Sequence, residues 1–307
     1  MPPSGTGAIY LSGPWAHRSV SANGTRFHVA ESGDGPLVLL LHGFPEFWWT
    51  WRRQLGSLAE AGFRAVAPDL RGYGGSDKPP RGYDLVTAAS DAAGLVRALG
   101  EANAVVVGPD WGGLIAWTMA TYYPKVVRRL AVVSMPHPLR LRSAVLTAPF
   151  AQARVMGQAL GFQLPMLPER RLLRDDAQQV GELLSQWSGP GWPDPDTEAR
   201  YRAAMSVPSA AHSALEYQRW YLRSRLRPDG IAYTRMMHTP IQAPTLHLHG
   251  ALDPCVRASA ARGSGVHVEA PYRWRLLDGA GHYPHEEMPD RFDLELRSWL
   301  ADPEPER

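Results

Sequence analysis

The chain has 307 residues, enough for one large α/β domain or two smaller ones, and ample to bury a core without staples. Its 32 Lys and Arg against 30 Asp and Glu leave a formal charge of +2, which excludes a strongly basic nucleic-acid surface or an acidic tail as its main theme. A single cysteine, Cys255, excludes an internal disulfide framework and a Cys-based zinc site.

The N-terminus has no charged segment leading into an apolar one, so it does not read as a signal peptide. The longest uninterrupted apolar run near the front, Leu37–Leu41, is far below the ~20 residues of a membrane span. These features set the expectation of a cytoplasmic, soluble protein that acts on a small molecule, without nucleic-acid or membrane partners. A homodimer stays open.

Short apolar strands alternate with helical stretches through the first part of the chain. Arg26–Glu31 alternates and ends at the turn signal SGDG. Leu37–Leu41 is continuously apolar, as a strand covered on both faces should be. Trp49–Ala61 has helical spacing, and Arg64–Ala67 is a short strand running into PDLRGYGGSDKPP. Tyr83–Leu99 reads as an amphipathic helix, Ala104–Val107 as a strand, Gly112–Tyr123 as a helix and Val127–Ser134 as a strand. Strict alternation of this kind predicts a mostly parallel sheet with right-handed crossovers.

From His137 to about His238 no buried strand is recognisable, and the Arg-rich segment is helix-prone with repeated proline breaks. Alternation resumes with strands at Pro244–Gly250 and Trp274–Leu277 and a closing helix at Pro289–Leu300. The organisation expected is a core over 1–136 and 241–307, interrupted by a helical cap over 137–240. No internal repeat is recognised.

The junction Val105-Val106-Val107-Gly108-Pro109-Asp110-Trp111-Gly112-Gly113 carries the most chemistry. It reads as strand, sharp turn and helix, with small residues flanking Asp110 at the apex. A nucleophile elbow needs such flanks, because the strand and the helix approach closely there. The helix N-terminus behind the apex favours a carboxylate. The plain alternative is an Asp that only caps the helix.

Five motifs then occur in order: HGFPEFWWTWR, APDLRGYGGSDKP, GPDWGG, HGALDPCV and GAGHYPHEE. With them the chain resembles the α/β-hydrolase superfamily, and within it the epoxide hydrolase-like branch. The resemblance covers both core segments, about two thirds of the length. It implies an α/β-hydrolase fold with a helical cap, and the order nucleophile, acid, histidine. Asp110 then matches the nucleophile, Asp253 the acid and His282 the base, with the backbone N–H groups of Phe44 and Trp111 as the oxyanion hole. His247 and His249 read as strand residues, and His285 as a loop or helix-cap residue. Neither a cofactor nor a metal is implied.

A carboxylate at the elbow suits attack on a saturated, activated carbon, since a reference pKa of ~3.9 leaves an aspartate ionised at neutral pH. Epoxide opening also needs a donor for the nascent alkoxide, and the family supplies two cap tyrosines. This chain departs from that pattern. The first position falls in a stretch without tyrosine, with Gln158 the nearest match. The second falls on Gln218, between Tyr217 and Tyr221. The expected donors are therefore Tyr217 or Tyr221, helped by Trp187, Gln158 or Gln218. Trp48, Trp49 and Phe162 are expected to line the pocket.

Three rival readings stand beside this one. A haloalkane dehalogenase would hold halide with Trp111 and Trp187, although Phe44 stands where a polar residue is wanted. A cofactor-free, non-hydrolytic lyase would use the same scaffold, and so would a ligand-binding protein without turnover.

Overall fold

The computed structural model describes residues 5–147, 157 and 159–303. Eight strands form one sheet: β1 (Ala16–Ala22), β2 (Thr25–Ser32), β3 (Leu37–Leu40), β4 (Arg64–Pro68), β5 (Ala104–Pro109), β6 (Val127–Val133), β7 (Thr245–Gly250) and β8 (Tyr272–Leu277). Their spatial order is β1-β2-β4-β3-β5-β6-β7-β8. The pairs β1–β2 and β2–β4 are antiparallel, and every other pair is parallel.

Every residue of β3, β5 and β7 is buried, because helices cover both faces of the parallel part. On those faces lie α1 (Arg52–Glu60), α2 (Leu85–Ala98), α3 (Asp110–Tyr122) and the C-terminal helix (Pro289–Ala301). The apolar runs in the sequence coincide with these strands within a residue or two. The strand with no such run is β1, AHRSVSA. It lies at the sheet edge, and in its second half only Val20 and Ala22 are buried. Edge position and polar composition made it unreadable from periodicity.

Between β6 and β7 the chain passes through α4 (Pro138–Thr147), α5 (Leu167–Trp187), α6 (Pro195–Met205), α7 (Ala210–Arg223) and α8 (Pro228–Met236). Helix α5 is broken by non-helical backbone at Arg174–Ala177. After β7 come the short α9 (Ala258–Arg262) and α10 (Pro284–Glu287), and the C-terminal helix is α11.

The register explains where chemistry can gather. Leu40 pairs with Val107, so β3 and β5 end side by side, and the Leu41 N–H bonds the Val107 carbonyl at 2.8 Å. Gly250 pairs with Leu277, so β7 and β8 also end together. The loops that follow all four strands open at one edge of the sheet, the usual ligand edge of α/β folds.

Candidate active site

Asp110 is the first residue of α3 and has φ 43°, a left-handed conformation that costs a non-glycine residue energy. The turn is possible because its flanks lack side chains. A Cβ on Gly108 would lie 2.3 Å from the Gly112 carbonyl carbon, and one on Gly112 would lie 2.5 Å from the Leu41 carbonyl oxygen. The result is a buried carboxylate, 8% exposed, at the positive end of a 13-residue helix.

The loop after β3 brings its amide to this carboxylate. The Phe44 N–H donates to Asp110 Oδ2 at 2.9 Å. The Trp111 N–H sits in the first turn of α3, where amides have no intrahelical acceptor. Four buried groups, Glu46, Thr50, His285 and His42, fix the β3 loop. Glu46 accepts from the Gly43 N–H at 3.1 Å and from the Thr50 hydroxyl at 2.7 Å, and it lies 3.1 Å from His285 Nε2. Burial disfavours the Glu46 charge, but His285 and Thr50 outweigh it and hold its pKa below the usual value. His42 donates from Nδ1 to the Gly43 carbonyl and accepts at Nε2 from the Leu70 N–H, which ties the loop to the one after β4.

On the other side, His282 Nε2 lies 3.6 Å from Asp110 Oδ1. Its Nδ1–H donates to Asp253 Oδ2 at 2.9 Å. Asp253 is itself held by the N–H groups of Cys255 and Val256, which donate to Oδ1 at 2.7 and 3.0 Å. Glu287 accepts from the N–H groups on both sides of His282, those of Gly281 and Tyr283, and also from Gly189 of the helical insertion. The His282 N–H bonds the Trp187 carbonyl at 2.8 Å, so the histidine loop is pinned from two elements. Burial alone would lower the His282 pKa. The facing carboxylates of Asp253 and Asp110 outweigh it and raise it well above the ordinary imidazole value.

Asp110, Asp253 and His282, far apart in sequence, thus converge as nucleophile, orienting acid and base would. The competing histidines take other partners, although His249 Nε2 comes within 3.5 Å of Asp253 Oδ2. His247 lies in β7, with Nδ1 2.9 Å from the Tyr272 hydroxyl. His249 donates to the Val256 carbonyl behind Asp253. His285 belongs to the Glu46 cluster. Glu46 and Glu287 are positioning residues that sequence reasoning missed. Their signal was present in HGFPE and GHYPHEE, but a lone Glu in a loop carries no mark of the amide it will hold.

Asp253, Cys255 and His282 also group metal-ligand atoms within 4.8 Å of one another. The 2.9 Å between His282 Nδ1 and Asp253 Oδ2 is a hydrogen-bond distance. Two ligands of one tetrahedral zinc would stand about 3.3 Å apart. The donor set fits a catalytic pair better than an ion.

Several expected pocket and donor residues need correction. Trp48 is not in the pocket. Its indole N–H bonds the Ile9 carbonyl, and its ring packs against Trp15, His17 and His28 beneath the first two strands. Trp49 stacks on Phe47 and meets Tyr201 of α6, with Arg52 over its face, so it packs the seam between the core and the insertion.

The Tyr217 hydroxyl donates to the Arg71 carbonyl at 3.0 Å. Its one proton is spent on joining α7 to the core. Tyr221 packs against Trp111 with ring centres 6.0 Å apart, and the Arg225 guanidinium lies 5.6 Å from the centre of its ring. Phe162 is buried edge-on against Phe44, and Trp187 stands against both Phe44 and His282, so these two do reach the site. Gln218 is half-buried on α7. Gln158 lies outside the described residues.

A family model described as the alpha/beta hydrolase fold matches residues 36–289. The chain belongs to that family. Among its relatives is the AB hydrolase superfamily protein YfhM of Bacillus subtilis, 36% identical over 274 residues, which are 88% of this chain and 92% of the relative. Epoxide hydrolase 3 of Xenopus tropicalis is 33% identical over 91% of this chain and 76% of its own length. An epoxide hydrolase from an endophytic Streptomyces superposes with a TM-score of 0.82 at 30% identity, covering 94% of this chain and 96% of that one. The family member described here is therefore epoxide hydrolase-like in sequence and in fold. No helix among the described residues is long and apolar enough to cross a membrane.

Proposed function

We propose that the protein hydrolyses an apolar or aromatic epoxide through an alkyl-enzyme ester on Asp110. The observation that carries this reading is the pair of contacts on one carboxylate: the Phe44 N–H on Oδ2 at 2.9 Å and His282 Nε2 at 3.6 Å from Oδ1. The oxygen already held by an amide is the one that becomes the ester carbonyl, and Oδ1 is the attacking atom. In the second step water adds to Cγ, and the charge that develops on Oδ2 falls on the Phe44 N–H and, in this reading, on that of Trp111. One such donor contributes about 3 kcal/mol.

Charge then drives the order of events. In the resting enzyme two carboxylates face His282 and favour its protonated form. Esterification removes the Asp110 charge, so His282 gives up its proton at the stage where the opened alkoxide takes one up. The neutral imidazole, held by Asp253, is then a competent base for the attacking water. For the hydrogen bond to the opening oxygen we favour Trp187, because its indole stands against both Phe44 and His282. Residues 137–240 act as the cap that closes this pocket.

The test is a single turnover of styrene oxide in heavy-oxygen water, with enzyme in excess. Diol formation together with label in Asp110 supports the ester route. Diol formation with an unlabelled Asp110 overturns it, and chloride release from a haloalkane without any epoxide turnover assigns the scaffold to dehalogenation.

A further inference from the structure

The ring of Phe162 borders two spaces. It meets Phe44 edge-on, with ring centres 6.1 Å apart, and the Phe44 N–H is the group that holds Asp110. It also lines a cleft of about 170 Å³ between α5 and the segment before it. That volume is close to the ~150 Å³ of a cavity that takes up benzene. Among the described residues the cleft's walls are mainly apolar, with Leu164, Leu167 and Pro168 beside Phe162, and its polar residues are Arg171 and Gln179. Leu164 and Leu167 are exposed, so the cleft holds apolar surface that is still uncovered.

Touching Phe44 and lining the cleft, Phe162 stands between the reaction centre and this space, and it is held there. It is buried, and so is Arg219 of α7, which reaches over to it. The Arg219 guanidinium donates to the Phe162 carbonyl at 2.9 Å and to the Leu164 carbonyl at 2.8 Å. The same guanidinium is fixed by Glu169 at 2.7 Å and Glu216 at 2.9 Å. Charge-assisted bonds of this kind are about twice as strong as neutral ones, so the turn that carries the Phe162 ring is a firm support.

We propose that Phe162 is a specificity-determining wall: a hydrocarbon tail bound at Asp110 stops at its ring, and the cleft behind it is space that a smaller residue would open. The substrate class that follows is an epoxide carrying a short alkyl group or a single ring, with long-chain epoxides gaining nothing from their extra length. The link to turnover rests on the function proposed above, whereas the wall itself is read by binding alone.

Calorimetric titration with 1,2-hexanediol and 1,2-decanediol, the products such a site would release, tests the wall without any reaction. Wild-type protein should bind the decanediol at most about fourfold more tightly than the hexanediol, the worth of one buried methylene. In Phe162→Ala the four extra methylenes find cover, and the ratio should rise to at least about tenfold. A second substitution, Gly161→Leu, should bring it back to the wild-type ratio. Gly161 lines the cleft, and a Cβ added there meets no atom within 4 Å, so the new side chain fills the cleft without moving the backbone. Should Phe162→Ala fail to fold, Phe162→Leu is read in the same way. A wild-type ratio of tenfold or more, an unchanged ratio in a folded Phe162 variant, a rise that survives Gly161→Leu, or no binding of either diol by any of these proteins overturns the proposal.

A second arm ties the wall to turnover. The KM values for 1,2-epoxyhexane and 1,2-epoxydecane should differ little in wild type and diverge in Phe162→Ala, in step with the diols; KM values that do not follow the diol ratios overturn the wall's part in substrate choice. Absence of turnover on both epoxides, with the diol ratios as expected, would count against the proposed function and leave the wall standing.

Discussion

Asp253→Asn is the sharpest perturbation of the site, because it keeps shape and removes one role. Asp253 Oδ1 accepts two backbone N–H groups, at 2.7 and 3.0 Å, and Oδ2 accepts the His282 Nδ1–H at 2.9 Å. An asparagine keeps its carbonyl oxygen on the two backbone donors, so its NH2 must face Nδ1. A donor facing Nδ1 forces the imidazole to carry its proton on Nε2, the nitrogen that has to take a proton from water. A wrong tautomer of this kind costs up to about 10⁴ in rate, or about 5 kcal/mol. That loss falls on hydrolysis of the ester.

Formation of the ester needs the Asp110 carboxylate, the small flanks of its turn and a hydrogen bond to the opening oxygen, for which Trp187 is kept; only the proton that His282 supplies to the alkoxide is weakened. It should slow by no more than about tenfold, roughly 1.4 kcal/mol. The variant should therefore accumulate alkyl-enzyme, seen by intact-mass spectrometry as one substrate mass added to Asp110 within a single turnover. Steady-state turnover within tenfold of wild type, or a loss of turnover with no accumulated adduct, would refute the assignment of Asp253 and His282 to the second step.

Three further outcomes are expected. Asp110→Asn removes one of the two carboxylates that face His282, so an NMR titration should find the His282 pKa lower than in wild type; an unchanged value would show that Asp110 does not hold the imidazolium. His137 is buried, and its pKa is pushed down to about 2 by burial. Its unfolded form takes up a proton near pH 6.5, so stability is full above that value and is lost as the pH falls. At pH 5 this amounts to about 2 kcal/mol, and His137→Phe should shrink the loss measured by denaturant titration between pH 7 and pH 5 by that amount. Tyr217→Phe deprives the buried Arg71 carbonyl of its donor and should cost about 1–3 kcal/mol in thermal stability while leaving epoxide turnover unchanged; a specific loss of turnover would return Tyr217 to the role of oxirane donor.

The sequence by itself determined the fold and the positions of the three candidate residues, because both rest on local patterns. Buried strands such as Leu37–Leu40 and Ala104–Pro109 announce themselves as apolar runs, and Gly108 and Gly112 mark the turn at Asp110 because no side chain fits there. Asp253 and His282 were legible because each follows a strand, β7 or β8, in a motif that resembles the family's. What only the tertiary structure decided were the contacts between elements distant in sequence.

Trp48 and Trp49, adjacent in an aromatic-rich segment, looked like pocket walls, and they became packing under the sheet edge and at the seam because Ile9 and Trp15 claimed the one and Phe47 and Tyr201 the other. Tyr217 was a donor candidate until α7 docked and gave its proton to the Arg71 carbonyl, 146 residues away. Glu46 and Glu287 were ordinary loop acids until folding set backbone amides against them. Helical or strand periodicity records which face of an element is buried. It carries no record of which polar atom a partner element will bring, and at this site those partners decide the chemistry.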